Sequence, residues 1–413
     1  MSGSTEVAII GAGVVGLAIA ERLRAEGREV TLIDPNPPGS GASYGNAGTI
    51  ADYAVMPVGT PDVLRNLPSL LFDRTSPLAI RRAALPSLLP WLARFALQSL
   101  PGPAARNAAA IAGLLAGAGP LWQALAARIG GTDILQQRGC LYLYESRAAF
   151  AAAGADMARR RALGISVDLI SPEDLHQLEP GLPPVEGGAA FFPQAIFLSD
   201  PGQMVTRLAQ SLDAPHLLHR VTGLDRRADG VVLTGEGFRL RARHVVLAAG
   251  AHSRALARQA GDRIPLDTER GYHVEWDMPA PPLSRPACPT TRGFYLCPMQ
   301  GRLRVAGTVE LGGLTLPPSP HRIAKLIEGA RALFPDLPEP SRDWMGFRPS
   351  LPDSLPVIGP SRGGAEVIHA FGHGHIGLTL APVTAEIVAD LIAGRAPGRD
   401  IAATAATRFG GLA

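Results

Sequence analysis

Three stretches of the chain share one pattern, an unbroken apolar run that ends among glycines and alanines. The first is Val7 to Ile10, followed by Gly11-Ala12-Gly13-Val14-Val15-Gly16. A run without polar alternation predicts a strand buried on both faces, as in a parallel sheet. From about Val14 to Ala25 the period changes. Val15, Ala18, Ile19 and Leu23 share one face, with Glu21, Arg22 and Arg24 outside, and this predicts a helix. Gly27 ends it, and Val30 to Ile33 predicts the next strand, closed by Asp34. The second stretch is Val245 to Leu247, which runs into Ala248-Ala249-Gly250-Ala251. The third is Val367 to Ala370, then Gly372, Gly374 and Gly377, with a helix predicted from about Thr379 to Ile392. Between these stretches, Ala104 to Arg128 and Ser146 to Leu163 are alanine-rich and helical in pattern. Gly271 to Trp276, Phe294 to Pro298 and Leu303 to Val309 read as strands. The fold class this predicts is α/β.

The first unit has the features of a dinucleotide site. Gly11 allows the sharp turn, Gly13 lets the backbone approach a pyrophosphate, and Gly16 lets the helix pack close to the strand. The helix N-terminus, with the amides of Val14 and Val15, suits a diphosphate. Asp34, at the C-terminal end of the second strand, can accept the ribose hydroxyls of an adenosine and would repel a 2′-phosphate, which disfavours NADP. The glycine turn near the C-terminus is a second strand-to-helix turn, far from the first in sequence. A long cofactor fits that spacing, with its ADP half at Gly11 to Gly16 and a flavin ring at Gly372, His373, Gly374, His375, Ile376, Gly377 and Leu378. The second helix N-terminus would then face the O2 and N1 edge of the ring. This favours FAD over NAD.

Composition narrows the alternatives. A length of 413 residues exceeds the usual single domain, so two domains are expected. The three cysteines, Cys140, Cys288 and Cys297, form no paired or metal-ligand spacing, and no metal is expected. The residues before Val7 lack the blocks of a secretory signal, and a cytoplasmic location is expected. Arginines carry the positive charge and are scattered, so no nucleic-acid footprint is read. The single lysine, Lys325, leaves almost no source for a Schiff base or a Tyr-x-x-x-Lys pair.

Together with the Gly11 to Gly16 turn, the segments GASYGNAG (Gly41 to Gly48), VVLAAGAHS, GFRPSLPDSLPVIG (Gly346 to Gly359) and GHGHIGLT span the chain from end to end. The set resembles the D-amino-acid oxidase family of flavoproteins, and looks most like the bacterial D-amino-acid dehydrogenases within it. The resemblance implies a two-lobed fold. A Rossmann-like FAD domain would come from 1–70, 187–262 and 342–413. A substrate domain with a mixed, largely antiparallel sheet would come from 71–186 and 263–341. It implies further cofactor contacts from Ser43, Asn46, Ala47, Gly48, Val221, Ala249 and Gly250. It also implies that Arg348 grips the substrate carboxylate bidentately. The prolines Pro349, Pro352 and Pro356 predict an irregular loop around it, and a structural pairing of Arg348 with Asp343 or Asp353 is the alternative. Tyr295 would add a hydrogen bond to the carboxylate or simply pack in its strand. His273 would floor the site as a polar contact, or else be a satisfied core histidine.

The chemistry the resemblance implies is oxidative deamination of a D-amino acid or related small amino acid. A hydride passes from the α carbon to flavin N5, and water hydrolyses the imino acid to a 2-oxo acid. A glycine/sarcosine or D-proline/hydroxyproline type of amine oxidation is the alternative. A non-catalytic flavin-binding protein would have no use for the Arg348 segment. No cysteine follows Cys297, so FAD is expected to be non-covalent. The stretch Leu67 to Leu100, rich in leucine with Arg81, Arg82 and Arg94, resembles the dehydrogenases. It suggests either a peripheral contact at the inner face of the membrane, with electrons passing to quinone, or a lid of the substrate domain.

Overall fold

The computed structural model describes residues 2–65 and 78–410, so the Leu67 end of the Leu67 to Leu100 stretch lies outside the described residues. The opening pattern folds as its periods dictate. Strand β1 (Ser2–Ile10) leads through the first glycine turn into helix α1 (Val14–Ala25), and strand β2 (Val30–Ile33) returns parallel to β1. Among the described residues the first sheet has eight strands. Its parallel centre runs His216–Leu217, β2, β1, Phe238–Leu247 and Gly364–Phe371. The Phe238–Leu247 strand serves two partners. Its first half pairs antiparallel with Gly230–Gly235, and Val245, Val246 and Leu247 pair parallel with Val367, Ile368 and His369. All three glycine-ended strands therefore stop at the same carboxyl edge of one sheet, where α/β folds place their ligands. The helix Gly377–Ile392 packs against α1 on one face of this sheet.

The second sheet, nine-stranded among the described residues, is mixed and largely antiparallel. Four of its strands matter here: β3 (Asp267–Asp277), β4 (Phe294–Met299), β5 (Arg302–Leu311) and β6 (Arg342–Ser350). Their spatial order is β6-β3-β5-β4, all antiparallel. Beyond β4 the sheet continues through Ala287–Pro289, Cys140–Leu143, Ala189–Phe192 and Asp168–Ile170. Ala189–Phe192 and β6 thus belong to this sheet, although they fall in stretches assigned from the sequence to the cofactor lobe. The Gly346 to Pro349 segment is a correction: it is not an irregular loop but an edge strand. Proline is tolerated there because an edge residue has no second ladder partner to serve.

One apolar stretch reads differently once folded. Pro101 to Arg128 is long and apolar enough to cross a bilayer by composition alone. It folds as two helices, Pro101–Leu115 and Ala118–Arg128, broken at Gly117 (φ 76°). Ile111, Leu114, Trp122 and Leu125 are buried in the core that also holds Ile9, Leu17 and Val383.

Candidate active site

A cavity of about 1010 Å³ runs from the first glycine turn to the second sheet. It lies at the upper end of the roughly 300–1,000 Å³ usual for small-molecule sites, as a dinucleotide plus substrate would require. Its first wall is local in sequence. Gly11, Gly13, Val14, Val15 and Asp34 line it. Gly16 does not; a Cβ there would stand 2.0 Å from the Gly11 carbonyl oxygen, so this glycine serves the close packing of α1 on the turn. Asp34 Oδ2 accepts the Ala12 amide (2.9 Å) and Oδ1 accepts the Asn36 amide (2.9 Å), which fixes the carboxylate beside the turn.

Residues 41–48 form the next wall, and Ser43, Asn46, Ala47 and Gly48 line the cavity. Ser43 Oγ accepts the Val14 amide (2.9 Å), joining this loop to the first turn of α1. Asn46 folds the loop on itself, donating to the Ser43 carbonyl (2.7 Å) and accepting the Gly48 amide (2.8 Å). Val221, Ala249 and Gly250 also line the cavity.

The C-terminal turn brings His373, Gly374, His375, Gly377 and Leu378 to the cavity; Gly372 and Ile376 lie behind it. His373 is buried, with Nε2 3.0 Å from Thr384 Oγ1. Burial pushes its pKa down to about 4. His375 opens on the cavity, and burial, with the charge of Arg348 adding to it, also lowers its pKa to about 4. The Gly374 amide donates to the Pro349 carbonyl (2.7 Å), which ties this turn to the arginine strand. Neither α1 nor Gly377–Ile392 is capped by its own N-cap side chain or carries an acidic residue in its first turn, so neither amide end is neutralised by a charge, although Ser43 Oγ takes the Val14 amide of α1. The residues present fit FAD, whose diphosphate would lie at α1 and whose flavin ring would lie at the Gly377 end.

The far wall comes from β3, β4, β5 and β6. Arg348 lines it, and its Nη1 donates to the Thr308 carbonyl (2.9 Å). Among the described residues Arg348 forms no ion pair with Asp343 or Asp353, and Asp353 is held instead by Arg408 (2.8 Å). The guanidinium lies flat over Gly271: a Cβ there would meet Nη2 at 2.4 Å and Cζ at 2.5 Å. Glu269, the cross-strand partner of Arg348, also lines the wall; burial raises its pKa, opposed by the arginine charge. Opposite Gly271 the β3–β5 ladder slips. Arg270 pairs with Glu310 and Tyr272 with Gly307, leaving Gly271 to face both Thr308 and Val309. Thr308 takes the left-handed position of this bulge (φ 57°), costly for a β-branched residue, and this turns its carbonyl onto the arginine. Tyr295 lines the same end, its hydroxyl donating to that of Tyr142 (3.2 Å), and burial raises the pKa of both.

His273 is not brought to the cavity. It is buried, its ring stacks on Trp344 (5.2 Å between centroids), and Nδ1 sits 2.9 Å from the Gly45 carbonyl. It shares a face of β3 with Glu269 and Gly271, but loop 41–48 covers it. Burial, with Arg304 adding to it, lowers its pKa to about 4, so the ring is neutral and Nδ1–H donates. Sequence reasoning missed Glu269, Tyr142, Thr308 and the role of Gly271. The alternation of Glu269, Gly271 and His273 on one strand face was the available signal.

Comparison with known proteins agrees with this geometry. The family model described as DAO, FAD dependent oxidoreductase, matches residues 6–391. The chain is 35% identical to a D-amino-acid oxidase of Bradyrhizobium diazoefficiens, over 98% of both chains. It is 32% identical to D-amino acid dehydrogenase 2 of Ralstonia nicotianae, covering 95% of this chain and 97% of that one. Among solved structures, glycine oxidase from Geobacillus kaustophilus superposes with a TM-score of 0.75 at 26% identity, covering 98% and 99% of the two chains. On the match over residues 6–391 and the identity to these relatives, this chain belongs to the DAO family of FAD-dependent oxidoreductases.

Proposed function

We propose that the protein oxidises the Cα–N bond of a D-amino acid, giving an imino acid that water hydrolyses to a 2-oxo acid and ammonia. The observation that carries this is Arg348. Its Nη1 is occupied by Thr308, while the Nε and Nη2 edge over Gly271 has no hydrogen bond among the described residues and belongs to the cavity wall. A planar two-donor edge in a dinucleotide cavity matches a carboxylate. Bound FAD supplies the two-electron acceptor. The chain's own residues bind and orient: Arg348 holds the carboxylate, and Tyr295 gives it a further hydrogen bond. Glu269 limits the net charge around Arg348, and the Tyr142–Tyr295 wall excludes water. Most of the acceleration then comes from position. Anaerobic bleaching of the flavin by D-amino acids, glycine, sarcosine, D-proline and hydroxyproline tests the reading. Bleaching by glycine or sarcosine alone would replace it with amine oxidation of the smaller substrates.

The same reading takes FAD as non-covalent, since neither Cys288 nor Cys297 lines the cavity. Acid precipitation should therefore release the flavin into the supernatant. For the acceptor we propose a quinone reached at the inner face of the membrane. Helix α2 (Leu85–Gln98) supports this. It buries Leu88, Trp91 and Phe95 against Leu311, and yet exposes Leu85, Leu89 and Leu97 on its outer side. Lys325, on Pro320–Arg331, does not line the cavity, so no lysine is at hand to promote reaction with oxygen. Reduced enzyme mixed with a soluble quinone or with air-saturated buffer decides between acceptors. Oxygen as fast as quinone, with stoichiometric peroxide, would make this an oxidase.

A further inference from the structure

Loop 41–48 has few side chains by which it could be held. Gly41, Gly45 and Gly48 leave it mostly backbone, and Gly45 has no room for more, since a Cβ would stand 2.1 Å from the Trp344 ring. What the loop does offer is carbonyls, and the second sheet takes three in succession. Arg304 Nη1 donates to the Tyr44 carbonyl (3.2 Å) and to the Asn46 carbonyl (2.7 Å). His273 Nδ1 takes the Gly45 carbonyl between them (2.9 Å). Both donors are buried and sit diagonally on the neighbouring strands β3 and β5, where His273 pairs with Ala306 and Arg304 with Glu275.

The grip has its own foundation. Glu275 Oε1 accepts Arg304 Nε (2.7 Å) and Arg302 Nε (2.9 Å), and Oε2 accepts Arg342 Nη1 (2.9 Å). Trp344 stacks on the His273 ring from the other side and closes over Gly45. On its inner side the same loop receives the Val14 amide through Ser43 and lines the cavity with Asn46, Ala47 and Gly48. A rigid connection thus runs from β3 and β5 of the substrate sheet through three carbonyls to the diphosphate end of the cofactor site.

We propose that His273 and Arg304 are positioning residues, a clamp on the Tyr44, Gly45 and Asn46 carbonyls by which the substrate sheet sets the shape of the FAD cradle. Neither touches the cavity, and neither is a catalytic residue. The inference depends on FAD as the cofactor and not on the identity of the amino acid, so failure of the D-amino-acid reading leaves it intact.

The test compares His273→Phe, which keeps the stack on Trp344 and loses the donor, with His273→Gln, which keeps an amide donor. Arg304→Met is the parallel variant, and Arg304→Lys restores a donor. FAD affinity is read by reconstituting apoprotein and following flavin fluorescence, alongside the absorbance spectrum and the melting temperature of the apoprotein. Losing a donor to an otherwise buried carbonyl should raise the FAD dissociation constant roughly tenfold in His273→Phe. His273→Gln should recover part of that loss, with the KM for the amino acid unchanged. An FAD dissociation constant within about twofold of wild type in both His273→Phe and Arg304→Met overturns the proposal. So does a loss that follows the melting temperature and is not relieved by the glutamine. A raised KM with unaltered FAD affinity would overturn it too, and would restore His273 as a substrate contact.

Discussion

At the proposed diphosphate end of the cavity, two strands, one turn, one helix and one acid all lie within the first 34 residues, the Ala12–Asp34 hydrogen bond spanning 22 of them. At the end proposed for the substrate carboxylate, Arg348 comes from one strand, Gly271 and Glu269 from a second, Thr308 from a third and Tyr295 from a fourth. The first end is specified by local backbone geometry: a helix N-terminus without an acidic first turn and glycines that permit close approach. The second is specified by register, because moving any strand by one residue would send its side chain to the other face of the sheet. The local end depends on distant residues only through the His273 and Arg304 contacts to loop 41–48, whereas a register-built site depends throughout on residues that never touch the substrate.

The largest effect expected from that contrast is at the register-built end. Arg348→Ala should keep the fold and FAD but raise the KM by about two orders of magnitude or more, since breaking a buried charge pair costs roughly 3–5 kcal/mol. Arg348→Lys should recover only part of this, an ammonium lacking the planar fork. Steady-state kinetics with the FAD content measured in parallel checks both. An unchanged KM would move the carboxylate site elsewhere.

Gly271→Ala comes next. It adds a methyl group where the guanidinium lies, 2.4 Å from Nη2. The arginine can swing aside, so stability should change little. Displacing it by about an ångström should still lower kcat/KM by roughly 10- to 100-fold. At the local end, Asp34→Asn should weaken FAD binding roughly tenfold while leaving the amino-acid KM unchanged, because a charged hydrogen-bond acceptor is lost far from the arginine. Equal effects of Asp34→Asn on FAD and on substrate would erase the distinction between the two ends.

The same contrast explains what could be read beforehand. Gly11 to Gly16, Asp34 and the Gly372 to Leu378 turn are legible because the chemistry and the spacing sit on contiguous residues. Arg348 was legible through its motif, but its setting was not: its prolines argue for a loop, and only the position of β6 at the sheet edge lets Pro349 sit in a strand, while Pro352 and Pro356 follow it in irregular backbone. His273 was placed on the correct strand, with the correct face opposed to Tyr272, whose hydroxyl instead donates to Glu310 (2.9 Å). What covers that face is a loop more than 220 residues away in sequence. Thr308 offers no signal at all in sequence, since a left-handed bulge position normally announces itself by a glycine. Pro101 to Arg128 shows the converse, an apolar stretch whose meaning depends on the core it meets.

The smallest effect concerns acid, and it singles out the flavin turn. His373 titrates near 4 when folded because it is buried, against roughly 6.5 in an unfolded chain. Between those values the unfolded state binds the extra proton, so stability falls as the pH drops through about 6.5 and levels off below about 4. From pH 7 to pH 6 this single histidine should cost about 0.7 kcal/mol. The raw pH profile cannot isolate it. The Asp52 carboxyl, raised to about 6 by burial, works in the opposite sense, gaining stability as the pH falls through the same range. The difference between wild type and His373→Gln cancels that contribution, because Asp52 is present in both. Denaturant unfolding at pH 7 and pH 6 should show the wild type losing about 0.7 kcal/mol more than the variant. An equal loss in the two proteins would mean that the flavin turn opens enough to let His373 charge, and that the C-terminal turn is less rigid than the one at Gly11.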